Sequence, residues 1–188
     1  SGTGLDDWLF ALTEYVERFP EERRVVSRFF ALMEAWPECL FRQHLPGHLT
    51  GSAWVVDPTR RSVLLTHHRK LDRWLQLGGH ADGDADLLGV ARREAHEESG
   101  VQDLQLVTFR GAPIFDLDVH PIPQSDPPGD HEHFDVRFAF ECRTADVPVV
   151  SDESHDVKWV PLSEIESYTD ELSILRMRDK WNDSTVSN

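Results

Sequence analysis

Residues 78–101 read GGHADGDADLLGVARREAHEESGV, and this stretch decides the fold. A glycine-rich turn leads into a helical pattern over residues 86–98, which Gly100 closes. At about 100° per residue, Glu94, Glu97 and Glu98 share one arc of that helix. Leu88, Ala91 and Ala95 occupy the adjacent arc and can pack on a sheet. Three neighbouring carboxylates repel one another and raise each other's pKa. A solvated acidic face is the ordinary fate of a Glu-rich stretch. Here, however, the glycine turn, the helix length and the terminal glycine all keep register with the acids. A hard divalent cation relieves the repulsion, because Mg2+ or Mn2+ prefers carboxylate oxygen and water. Arg93, four residues before Glu97, sits beside the acids and can orient one through a charge-assisted bond.

Working outward, two β-prone runs at 53–56 and 62–67 flank the turn signal Asp57-Pro58-Thr59-Arg60. Residues 74–77 make a third short strand, stopped by Gly78 and Gly79. Downstream, strands are expected at 104–109, 113–119, 133–142 and 156–160, and residues 121–131, rich in Pro, Asp and Gly, read as a long loop. Ser163-Glu164-Ile165-Glu166 has the form of a capping box for a short helix. A last helix over 170–181 places Ile174, Met177, Arg178 and Trp181 on one face. Upstream, Leu5, Trp8, Leu9, Leu12, Val16 and Phe19 recur at helical spacing over 5–19. Pro20, Glu21 and Glu22 open a second helix with Val26, Phe29, Phe30, Met33 and Trp36 on its apolar face, ended by Pro37. Residues 38–51 read as a connecting loop. Strands interrupted by one central helix, with helices at both ends, make an α+β fold of α/β/α layers.

The whole chain carries 19 Lys plus Arg against 34 Asp plus Glu over 188 residues, a formal net charge of −15. The length favours one domain with a modest extension, and a hydrophobic fraction of 39% is enough for a packed core. The acidity argues against nucleic acid as a partner, since phosphate contacts need clustered Lys and Arg. It argues equally against an anionic membrane surface, and no apolar run approaches the roughly 20 residues of a membrane span. Cys39 and Cys142 are read as two reduced thiols of a cytoplasmic protein, with a single bridge between them as the alternative. Residues 1–4 have the look of an expression scar or a flexible start. Asp6 and Asp7 stand where a secretory leader would be basic.

The stretch resembles the signature box of the Nudix hydrolases: Gly, five residues, Glu, seven residues, Arg-Glu, an apolar residue, any residue, Glu-Glu, any residue, Gly, apolar. Gly79, Arg93, Glu94, Ala95, Glu97, Glu98, Gly100 and Val101 all fit, and the order of strands extends the resemblance over roughly residues 50–165. One position departs: Ala85 stands where the family's first Glu falls, between Asp84 and Asp86. The resemblance implies a Nudix-type α/β/α sandwich with a mixed sheet over residues 46–188, preceded by a helical extension over 1–45 that caps the sheet, shapes substrate access or builds a homodimer interface. It implies hydrolysis of the pyrophosphate bond of a nucleoside diphosphate linked to another group, with Mg2+ or Mn2+. It also implies that the Gly79 carbonyl, Glu97 and Glu98 hold metal, with Glu94 as a further ligand or general base and Arg93 orienting it.

Members of the family often add one acid from a later loop, and Glu153, just before the strand at 157–160, is the candidate here. Among ten histidines, His80 directly follows Gly79, and His120 and His133 lie on alternating strand patterns that could aim them into a cleft. Arg69, just before the glycine turn, could meet a phosphate. His44, His48, His67 and His155 read as loop and strand-edge residues. Two other readings stay open: a non-catalytic Nudix-like nucleotide sensor, which Ala85 favours, and an isomerase of isopentenyl-diphosphate type, which would need a catalytic cysteine.

Overall fold

The computed structural model describes residues 4–122, 131–144 and 146–186. In chain order these form α1 (Asp6–Arg18), α2 (Arg23–Ala35), β1 (Gly47–Val56), β2 (Ser62–His68), β3 (Arg73–Leu75), β4 (Leu77–His80), α3 (Leu87–Ser99), β5 (Leu104–Val107), β6 (Asp116–Pro121), β7 (Glu132–Cys142), β8 (Ser154–Pro161) and α4 (Leu172–Val186). Short 3-10 turns occupy Pro20–Glu22, Pro37–Leu40 and Leu162–Ser167.

All the described strands join one sheet. Its spine runs β3-β2-β1-β7-β5, with β4 also on β1, β6 on β7 and β8 on β2. The β1–β7 pair is parallel from Gly47↔Glu132 to Val56↔Glu141, and the other pairs are antiparallel, so the sheet is mixed. Alternation along β1 and β7 sends side chains to two cores. Leu49, Ala53, Val55, Phe134, Phe138 and Phe140 pack beneath α1, α2 and α3. Trp54, Val56 and Ala139 pack against Ile174, Met177 and Trp181 of α4. The result is the expected α/β/α sandwich, with the first two helices on the same face as α3.

Several expected boundaries move. β1 begins at Gly47, within the expected loop, because every residue of the strand is buried and the hydroxyls of Thr50 and Ser52 are satisfied by distant Asp135. Residues 74–77 belong to two strands: β3 pairs with β2, and β4 pairs with β1 from Thr50↔His80 to Ala53↔Leu77. β5 stops at Val107, leaving Phe109 in an isolated bridge to Ala112, and β6 spans 116–121 rather than 113–119. Pro20–Glu22 is a separate 3-10 turn before α2. The expected capping box does not form: Leu162–Ser167 is a 3-10 helix that starts from Pro161 with no side-chain cap. Most of the expected loop at 121–131 lies outside the described residues. Cys39 and Cys142 are both buried and unbridged, so the alternative of a disulfide falls. Among the described residues no helix is long and apolar enough to cross a membrane.

A buried polar network holds the α4 face of the sheet. Asp135 accepts from Thr50 Oγ1, Ser52 Oγ and Arg137 Nε, each at 2.8 Å. Arg137 also reaches Asp116 Oδ2 at 3.2 Å. Arg176 of α4 grips Asp116 at 2.9 and 2.8 Å and Asp118 at 3.0 Å. Lys180 joins Asp116 at 2.6 Å to Glu22 at 2.8 Å, and Tyr15 of α1 donates to Glu22 at 2.8 Å. Buried charges persist only when paired in this way.

Candidate active site

Local chemistry sets α3 against the sheet. Asp86 caps the helix, its Oδ1 accepting from the Gly89 N–H at 3.0 Å, and Asp84 Oδ1 accepts from the Asp86 N–H at 2.9 Å. Gly100, at φ 72, ends it in the left-handed region. Leu87, Val90, Ala91 and Ala95 form the buried face, while Leu88 is only partly covered. The helix lies so close to β1 that a Cβ on Gly51 would come within 2.7 Å of the Leu87 carbonyl oxygen.

This approach delivers the acids to β4. A Cβ on Gly79 would lie 2.5 Å from Glu94 Cδ, so only glycine leaves that carboxylate its place. Burial, then the neighbouring Glu97, raises the Glu94 carboxyl, with Arg93 opposing and Glu153 adding to the rise. Glu98 is pushed up to about 8, first by burial, then by Glu94 and Glu153, although the Gly78 N–H hydrogen-bonds it and pulls the other way. Glu153 reaches the group because β8 pairs with β2, and its carbonyl accepts from the Arg69 N–H at 2.9 Å. The structure therefore brings together Gly79, Glu94, Glu97, Glu98 and Glu153, while the Arg69 guanidinium donates to the Ser154 carbonyl at 3.5 Å. Arg93 pairs with Asp84, its Nη1 3.6 Å from Oδ2, and bears on Glu94 through its charge.

The histidines gather elsewhere. Side chains alternate along β4, so His80 points away from the face on which Glu94 meets Gly79. It joins His48 of β1, with ring centroids 5.2 Å apart, and His133 of β7, also at 5.2 Å. His48 and His133 are 4.8 Å apart. His120 of β6 packs against His133 at 5.3 Å and engages Asp118 Oδ2 through Nδ1 at 2.7 Å. Burial, followed by neighbouring basic groups, lowers His80, takes His48 to about 4 and takes His133 to about 3, so these rings are neutral at pH 7. Sequence reading missed His48. The signal was the alternation of His48, Thr50 and Ser52 along one strand face.

The family model for the NUDIX domain matches residues 47–179, well over half of the chain. This chain belongs to the Nudix family. Solved structures agree on the fold. The C. elegans Ap4A hydrolase, in a binary complex, superposes with a TM-score of 0.61 at 15% identity, over 74% of this chain and 98% of that one. The E. coli dihydroneopterin triphosphate pyrophosphohydrolase gives 0.55 at 15%, over 74% and 96%. The NUDIX domain of Shewanella oneidensis NrtR, complexed with ADP ribose, gives 0.54 at 16%, over 80% and 94%. No curated protein matches the chain in sequence. Within the Nudix box, Ala85 is the one departure, and α1 covers it: the Trp8 indole donates to the Ala85 carbonyl oxygen.

Proposed function

We propose that this Nudix protein is a metal-dependent hydrolase of the pyrophosphate bond in a nucleoside diphosphate linked to another group. The observation that carries the reading is the convergence of Glu94, Glu97, Glu98 and Glu153 at the glycine turn, where Glu94 lies against Gly79 and the half-buried Glu98 carboxyl is pushed up to about 8 first by desolvation and then by the acids around it. Such a group is incomplete without a cation. The donors are hard oxygens, which fit Mg2+ or Mn2+. Glu97, Glu98 and the Gly79 carbonyl would hold it, with Glu94 as a further ligand or as the base. When bound, the ion neutralises the diphosphate and lowers the pKa of water. Glu94 lies against Gly79, where it can take a proton from the attacking water, and Arg93 holds down its pKa. Glu153 supplies a further acid across the site, and Arg69 offers a cation to a phosphate. The free, buried thiols suit a cytoplasmic location.

The test is a hydrolysis screen over nucleoside diphosphate derivatives, with and without Mg2+. Metal-dependent products that vanish in Glu97→Gln are expected. No product from any substrate class would overturn the reading.

The replacement of the box's first Glu by Ala85 favours a second reading, a non-catalytic nucleotide sensor. In a sensor, Glu97→Gln leaves ligand binding largely intact and there is no turnover to lose.

A further inference from the structure

We propose that His48, His80 and His133 form a three-nitrogen site for a borderline transition-metal cation, Zn2+ foremost, separate from the carboxylate site and with its fourth position open to solvent. Each residue offers a ring nitrogen, and the three nitrogens lie within 4.8 Å of one another. The strand pairing builds the triangle. His48 stands opposite His133 in the parallel β1–β7 register, and His80 stands opposite Thr50, two residues along β1 from His48. All three therefore project from the same face of adjacent strands. A Zn–N bond of about 2.0–2.1 Å puts tetrahedral donors about 3.3 Å apart, so small side-chain rotations close the triangle on an ion.

The second observation is His48 itself. It is 3% exposed, and neither Nδ1 nor Nε2 has a hydrogen-bond partner. A buried imidazole left unpaired forfeits its hydration with nothing in return, and native interiors rarely leave one so. Several other histidines are engaged. His44 Nδ1 meets the Gly47 carbonyl, His67 Nε2 meets Asp72, His96 Nδ1 meets the Val101 carbonyl, and His120 Nδ1 meets Asp118. Two buried nitrogens at the centre of a histidine triangle call for a Lewis acid. A metal ligates one of them.

The surroundings fit the same ion. His80 and His133 are partly exposed, which leaves room for water or an anionic ligand opposite the three nitrogens. The donor chemistry separates this site from the carboxylates, because imidazole suits Zn2+ and its neighbours in the first transition row, whereas carboxylate and carbonyl oxygen suit Mg2+ and Mn2+. β4 separates them in space: Gly79 faces Glu94 and His80 faces the opposite way.

The test uses the full chain, stripped of metal and titrated with Zn2+ against a chromophoric chelator in excess Mg2+. One Zn2+ per chain is expected, with Co2+ in its place giving the visible absorption of a tetrahedral nitrogen site. His80→Asn and His133→Asn, both partly exposed, should each weaken Zn2+ binding by at least about tenfold while keeping the melting transition. Glu97→Gln and Glu98→Gln should leave it unchanged. Absence of Zn2+ binding in excess Mg2+ overturns the proposal. So does binding that survives both histidine changes or disappears with Glu98→Gln.

Discussion

The indole Nε1 of Trp8 donates to the carbonyl oxygen of Ala85 at 2.6 Å, which docks the first helix on the residue where the Nudix box departs from its pattern. The half-buried Ala85 methyl faces the chain at Gly4, where an added Cβ would lie 2.7 Å from it. A glutamate at this position would have to displace the chain at Gly4. Ala85→Glu is therefore expected to destabilise the protein by about 1–3 kcal/mol through overpacking. Trp8→Phe should cost about 1 kcal/mol through the lost hydrogen bond. Urea denaturation reads both, and unchanged midpoints would mean that α1 is not held at Ala85.

Acid should weaken the network under α4. Burial alone would raise the Asp118 carboxyl, but the His120 hydrogen bond, with Arg137 and Arg176, overcomes it and holds the group below its ordinary 3.8. A depressed carboxylate contributes stability that is present above its unfolded value and lost as pH falls through the folded one. Stability should decline as pH drops below about 4, and Asp118→Asn should make that decline shallower. An identical acid profile in the variant would remove Asp118 from the network.

Glu98 should behave in the opposite sense. Its carboxyl is pushed up from 4.5 to about 8, so the metal-free fold holds Glu98 protonated where the unfolded chain would ionise it, and stability is lost as pH rises from about 4.5 to about 8. Glu98→Gln is expected to raise the metal-free Tm and to abolish the further rise that Mg2+ gives the parent protein through preferential binding. Differential scanning fluorimetry with and without Mg2+ measures both. A variant that melts lower than the parent without metal would contradict the burial account.

Arg137 is the central cation of the network, 2% exposed and in contact with Asp116 and Asp135. Arg137→Met leaves both carboxylates facing a thioether and should cost about 3–5 kcal/mol. Replacing Arg176, whose side chain is 34% exposed, should cost less, because water can reach the acids it leaves. Equal losses at the two positions would argue that the network is not graded by burial.

The parts of the fold that could be read in the sequence are those held by local chemistry. The span of α3 could be placed because Asp86, the apolar arc and Gly100 all act within a few residues. The start of β1 is hidden in the sequence because Pro46, Gly47 and Gly51 give residues 38–51 the composition of a loop. The hydroxyls of Thr50 and Ser52 are satisfied by Asp135, far along the chain. The capping box at 163–166 fits the sequence rule yet does not form, because Pro161 leads the chain directly into a 3-10 turn. At the site, the shared arc of Glu94, Glu97 and Glu98 follows from helical spacing, whereas Glu153 was reached only through the resemblance to the family. The meeting of His48 with His80 and His133 depends on which strands are neighbours, and helical or strand periodicity carries no information about that.

β4 is short, and its two faces do different things. Gly79 must present no side chain to Glu94, while His80 must point to the sheet's other side. Strand side chains alternate strictly, so deleting one residue before Gly78 would move His80 into the place of Gly79. A larger residue would then meet the Glu94 carboxyl, and the imidazole would leave its partners, in a single event. This segment is thus a place where the chain is constrained both in side-chain size, at Gly78 and Gly79, and in length.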